Sequence, residues 1–202
     1  MNVLKLSLTA MLATGLMGGC ASPSPAPVLL TLPPVAAPLA STAPGTPASA
    51  PLLAVRRVNI PEYLVARRVR YRADASTLAE WPNTFWAERI EIGVSREFVS
   101  ALRQQLPGWA LCDTNCGDAV PALSLQVDLV PMDYVRSDGR LQARARIVLS
   151  SGSVPHRELK TLETSYDLPA GGDTAQAHAK AISELIRQVA QAAAPMIDSA
   201  PR

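Results

Sequence analysis

LSLQVDLVPMDYVRSDGRLQARARIVL, residues 123–149, is the stretch that decides the fold. Its first part places Leu123, Leu125, Val127 and Leu129 on one side of an extended chain and Ser124, Gln126 and Asp128 on the other. Its last part repeats the pattern, with Leu141, Ala143, Ala145, Ile147 and Leu149 set against Gln142, Arg144 and Arg146. A period of two over this length is the signature of strands with one buried and one wet face. Between them, Ser137-Asp138-Gly139 supplies residues that turn a chain tightly. The stretch therefore predicts an antiparallel β-hairpin whose apolar face must be covered by something else.

Downstream, residues 159–168 extend the sheet by a further strand. Gly171-Gly172-Asp173-Thr174 then opens a final helix, with Asp173 or Thr174 as its cap. Ile182, Leu185, Val189, Ala192 and Met196 recur at three- and four-residue spacing, and Lys180, Glu184, Arg187 and Gln191 fall opposite. Upstream, a helix is predicted from about Thr84 to Leu106, closed by Pro107-Gly108. Its second half sets Phe98, Val99, Leu102 and Leu106 against Arg96, Glu97, Ser100, Arg103 and Gln104. In its first half Phe85, Trp86, Ile90, Ile92 and Val94 spread around the circumference, so that turn is either buried on two sides or meets a partner. Arg68, Arg70 and Arg72 alternate with Val69, Tyr71 and Ala73, a strand whose arginine row is read as a solvated face, with a partner-binding stripe as the alternative. Leu52 to Ile60 reads as another strand, stopped by Pro61. The fold class is α+β: an antiparallel sheet with two helices packed on one face.

What precedes this domain has a different character. Residues 1–19 combine Lys5 with an apolar run from Leu6 to Met17, the shape of a secretory signal and too short to span a bilayer. The run ends in Gly18-Gly19-Cys20, which resembles a lipobox and makes Cys20 the expected site of acylation. Ala21 and Ser22 follow with no Asp, which resembles lipoproteins forwarded to the outer membrane. Residues 20–51 form a tether rich in Pro and Ala that holds half of the chain's 18 prolines. Fully stretched, such a tether reaches roughly 90 Å at about 3.1 Å per residue. Inside it Val28 to Leu32 is either tether or a short strand that returns to the domain. The expected divisions are thus signal peptide 1–19, acylated tether 20–51 and periplasmic domain 52–198.

The formal net charge of +2 falls to about +1 once Lys5 is removed with the signal, so charge offers no reason to bind nucleic acid. With Cys20 acylated, Cys112 and Cys116 remain. In an oxidising compartment a local disulfide is the favoured reading, with free thiols or a metal site as alternatives. No nucleophile elbow, zinc-binding helix, phosphate loop or dinucleotide fingerprint is present. His156 follows Pro155 in a loop, and His178 lies among small residues in the last helix; both are read as surface histidines. Glu88 and Glu91 flank Arg89 at a spacing usual for a solvated helix face. The expectation is a protein that is not an enzyme and uses no metal or cofactor.

The run Val58-Asn59-Ile60-Pro61-Glu62-Tyr63-Leu64, a basic strand, and then Trp86-Ala87-Glu88 opening a helix resembles the PqiC/YmbA-type auxiliary lipoproteins of ABC-type transport systems. The motifs cover residues 52–106, and the resemblance continues to Met196 as element order. It implies a non-catalytic periplasmic subunit serving an MCE-domain protein, and through it a permease and an ATPase that move lipids between membranes. It also points to Pro61, Tyr63, Leu64 and Trp86 as a docking surface, with turn and core as their other reading. A homo-oligomer is compatible with such a partner, and no residue fixes a number. The reading from another class is a structural lipoprotein that braces or assembles the envelope without conveying substrate.

Overall fold

The hairpin forms where the alternation places it, and the rest of the chain is arranged around it. The computed structural model describes residues 25–35, 50–113 and 116–200. Its elements, in chain order, are β1 Val28–Leu30, β2 Leu52–Val55, a 3-10 turn Glu62–Leu64, β3 Arg68–Arg72, β4 Leu78–Trp86, α1 Ile90–Gln105, β5 Ala110–Cys112, β6 Leu123–Val135, β7 Arg140–Ser151, β8 Glu158–Pro169 and α2 Ala175–Asp198. The proposed signal peptide and Cys20 lie outside the described residues.

Strands β6, β7 and β8 form an antiparallel unit, with Leu125 opposite Leu149 and Val127 opposite Ile147. Between Leu129 and Met132 the register of β6 shifts around Pro131, which has no N–H to give the ladder. The bulge changes which parity faces inward, from Leu123–Leu129 odd to Met132 and Tyr134 even. On β7 the odd residues are buried, while Gln142, Arg144 and Arg146 are exposed. The helices cover the buried face.

Thr174 caps α2 by accepting a hydrogen bond from the Ala177 N–H at 3.0 Å. The helix buries Ile182, Leu185, Ile186, Val189 and Ile197 against the sheet and α1. Burial of such side chains contributes about 1.5–3 kcal/mol each. Ala192 and Met196 are only partly buried, and the seam runs instead through Ala190 and Ala193. At its far end, Asp198 accepts from the Trp109 indole N–H at 3.0 Å.

The sheet as a whole is mixed, in the order β1-β4-β3-β6-β2-β5, with β7 and β8 continuing from the other side of β6. β3 and β4 are antiparallel, whereas β1 joins β4, and β2 joins both β5 and β6, in parallel. Several local expectations are corrected. The chain from Thr84 to Trp86 is the end of strand β4, and the helix begins only at Ile90. The strand expected over 52–60 is Leu52–Val55, followed by an isolated bridge at Asn59. His178 is not a surface residue: it is 3% exposed. Glu91 and Glu97 do not lie on a wet face either: Glu91 is buried beside the hollow lined by Val58, Ile60 and Val65, and the segment after β1 folds over the Glu97 side of α1. The Val35 N–H donates to Glu97 Oε2 at 3.1 Å, and Leu32 packs beside Gly93. The arginine row is only partly solvated: Arg68 and Arg70 pair with Glu80, and Arg72 reaches inward to Asp133 at 3.0 Å.

Val28–Leu30 is a strand of this sheet, and Leu30 and Leu32 belong to its core. The only stretch between Cys20 and the sheet is therefore 21–27, and residues 31–51 are a connection between β1 and β2.

Candidate docking cleft

Of the residues expected to dock a partner, only Trp86 lines a hollow, at one end of the sheet where two connections run side by side. The Val65–Arg67 segment follows the 3-10 turn, and Ala87–Arg89 joins β4 to α1. The Trp86 N–H donates to the Arg67 carbonyl at 2.7 Å, and the Ala87 N–H donates to the Leu30 carbonyl at 2.8 Å. Between the two lies a cavity of about 340 Å³ lined by Val65, Arg67, Trp86, Arg89, Ile90 and Glu91, among others. A smaller hollow of about 230 Å³ adjoins it and shares Val65, Arg89 and Glu91.

Trp86 is 5% exposed and Leu64 is 9% exposed, and Pro61 is buried, so these three are held in the core; Trp86 borders the cleft and Pro61 and Leu64 do not. Tyr63 is half-buried. Its hydroxyl donates to Asp133 Oδ1 at 2.9 Å, and Asp133 also pairs with Arg72. Burial, and then the bond to Asp133, raise the Tyr63 phenol above its ordinary pKa, so it stays a neutral donor. Arg70 donates to the Tyr63 carbonyl at 2.8 Å. The turn is thus pinned to β3 and β6 by charge-assisted hydrogen bonds, which are stronger than neutral ones.

Behind the cleft lies an aromatic layer. His178 stacks on Tyr134 with ring centroids 4.7 Å apart and meets Trp86 edge-on at 6.3 Å. Trp81 lies 6.2 Å from Tyr134 and 5.0 Å from Tyr71. Arg136 covers Tyr71 and Trp81, and its guanidinium holds Asp173 through two hydrogen bonds. Burial pushes the His178 imidazole down to about 3, so it is neutral at every physiological pH. On the α1 side Arg96 donates to Glu88 at 2.6 Å and holds that carboxyl below its usual range.

Of the rim residues, Arg67 belongs to no alternating or helical pattern that would have marked it, and Arg89 drew notice only as the cation between Glu88 and Glu91. Elsewhere, Cys112 and Cys116 are joined as a disulfide at the edge strand β5, with Cα atoms 5.3 Å apart. His156 is exposed, as expected. Among the described residues no group of three or more His, Cys, Asp or Glu side chains could hold a metal ion. No helix among them is long and apolar enough to cross a membrane.

The family described as the ABC-type transport auxiliary lipoprotein component matches residues 30–194, from β1 into α2. Among solved structures, an uncharacterized protein is similar at 20% identity and a TM-score of 0.67, covering 86% of this chain and 99% of its own. Protein XCC0632 from Xanthomonas campestris, a DUF330 protein, is similar at 16% identity and a TM-score of 0.59, covering 85% of this chain and 92% of its own. At such identities these likenesses establish the fold. No curated protein matches the chain.

Proposed function

This chain belongs to the family of ABC-type transport auxiliary lipoprotein components, and on that premise we propose that it is a non-catalytic subunit of an MCE/ABC-type intermembrane lipid transport system. It is anchored in the outer membrane through Cys20, faces the periplasm, and docks the MCE-domain protein with the cleft around Trp86. Envelope integrity depends on it through that transport.

The observation that carries the reading is the pairing of Leu30 with Trp86. The acylated residue and the cleft wall are then separated by ten residue steps of chain, or about 33 Å at roughly 3.3 Å per residue. An anchor joined so closely to a recessed surface suits a part that works by contact at a membrane. The aromatic layer and the Tyr63–Asp133–Arg72 clamp support it too, because a rigid cleft loses little entropy on docking.

The test is purification of the acylated protein from outer membranes in mild detergent. The MCE protein should accompany the wild type. The exposed rim replacements Arg67→Glu and Ala87→Arg should abolish that recovery while leaving the thermal midpoint unchanged. Recovery of envelope scaffold proteins without an MCE protein, permease or ATPase would decide for the bracing role instead. Cys20→Ala should release the protein from the membrane fraction.

A further inference from the structure

We propose that a groove on the other side of α1, lined by Arg56, Arg57, Arg96 and Arg103, binds the anionic headgroup of a phospholipid and rests its glycerol-proximal hydrocarbon on Ile92 and Val99. The groove has a volume of about 350 Å³ and is bounded by the end of β2 and by the face of α1 that carries Ile92 and Arg103. It runs on into a shallower hollow of about 730 Å³ that shares Val55, Arg56, Arg57 and Asp113 with it and ends near His156. Cavities in this range accommodate small organic ligands.

Two observations define the occupant. The first is charge. The lining holds four guanidiniums against one carboxylate, Asp113. Arg96 is occupied by Glu88 and Glu97, but the side chains of Arg56, Arg57 and Arg103 make no hydrogen bond or ion pair with any described residue. Nine other arginines, Arg96 among them, form ion pairs with carboxylates; Arg67, Arg144 and Arg157 form none either, but they do not line this groove. Three unengaged planar forks around one hollow match the oxygens of a phosphate. The second is the apolar surface between them. Ile92 is 41% exposed although it stands in a helix with a well-covered apolar side, and Val99 is half-buried beside it. A free phosphate would leave that surface wet, and an uncharged lipid would leave the guanidiniums unmatched. An anionic phospholipid satisfies both.

The purpose of such a site rests on the transport reading above, but its existence is tested without it. The full chain, purified in a non-ionic detergent, is incubated with equal amounts of a phosphatidylglycerol and a phosphatidylcholine of the same acyl chains. Retained lipid is then weighed by native mass spectrometry. The expected result is at least fivefold more phosphatidylglycerol adduct than phosphatidylcholine adduct. That excess should disappear in Arg56→Gln/Arg57→Gln/Arg103→Gln, whose exposed side chains leave the thermal midpoint in place, and should shrink in Ile92→Asn. Equal retention of the two lipids, no retention of either, or an excess indifferent to the arginine replacements would overturn the proposal. So would displacement of the lipid by an equal concentration of glycerol phosphate, which would reduce the site to an oxyanion pocket. Recovery of the MCE protein from the same preparations reports separately on the transport reading, since the groove is not the docking cleft.

Discussion

His178 shows how far a residue's surroundings can depart from what its neighbours in sequence suggest. It is flanked by Ala177, Ala179 and Ala181, and a run of small residues in a helix reads as a thin, solvated face. Here the small side chains let neighbours approach from several sides, and the imidazole is enclosed between Tyr134 and Trp86 with no partner for Nδ1. Its folded pKa of about 3 lies below the 6.5 of an exposed ring, so the unfolded chain binds more protons between those values. The stability it contributes is complete above pH 6.5 and is lost as pH falls through the window toward 3, by up to about 1.4 kcal/mol per pH unit. Urea unfolding at pH 7, 6 and 5 should show this loss, and His178→Leu should flatten it; parallel slopes for the two proteins would refute the assignment. The Tyr63 clamp makes a second expectation. Tyr63→Phe removes one charge-assisted bond and should cost about 1.5–3 kcal/mol. Arg72→Met strands the buried Asp133 carboxylate and should cost more, about 3 kcal/mol or above. Equal losses in denaturant titrations would mean that Arg72 is not the partner Asp133 depends on.

At the level of elements, what was legible depended on whether one periodicity ran unbroken. β7, β8, α2 and β6 as far as Leu129 were readable because each has a wetter and a drier face, so period two or 3.6 is written directly in the residues; beyond Leu129 the bulge at Pro131 reverses the parity of β6. β4 was not. Its sequence LAEWPNTFW contains Pro82, and Asn83 adopts a left-handed φ of 48°, so no alternation survives the middle of the strand. Trp86 then looked like the opening of a helix because Ala87-Glu88-Arg89 follows, whereas those residues are the connection to α1. The buried face of Glu97 was illegible for another reason: what covers it comes from the segment after β1, distant in sequence and read in large part as tether. β1 carries the matching expectation. Leu30→Ala empties a core position and should cost about 2–4 kcal/mol, although the residue lies in the Pro/Ala-rich segment. Leu29→Ala, at an exposed position on the same strand, should change stability by less than about 0.5 kcal/mol. A tether would make the two replacements equally silent in thermal unfolding.

For the whole molecule, the entry of β1 into the sheet changes how the domain would stand relative to the anchor proposed at Cys20. The candidate cleft was legible only in part: the sequence supplied Trp86 and the 3-10 turn, but their meeting depends on β3 and β4 pairing, which no local pattern encodes. The pairing of β1 with β4 shortens the leash. A tether of residues 20–51 would let the domain drift roughly 90 Å from the bilayer. With Val28 fixed beside Thr84, only seven residues lie between the sheet and Cys20, and the eight residue steps span about 27 Å when fully extended at 3.3–3.6 Å per residue. Two insertions of the same length then have different consequences. Twenty Gly/Ser residues placed after Ser22 lengthen the leash, adding a root-mean-square reach of about 25 Å. The same insertion between residues 40 and 41 enlarges only the connection from β1 to β2, which is closed at both ends by the sheet, and loop closure costs little more as it grows. Neutron reflectometry of the acylated protein on a supported bilayer should find the wild-type layer beginning at the headgroups, the first insertion spreading it outward, and the second leaving its height unchanged. If both insertions raise the layer alike, β1 is not what ties this domain down, and the closeness of anchor and cleft that supports the contact role is lost with it.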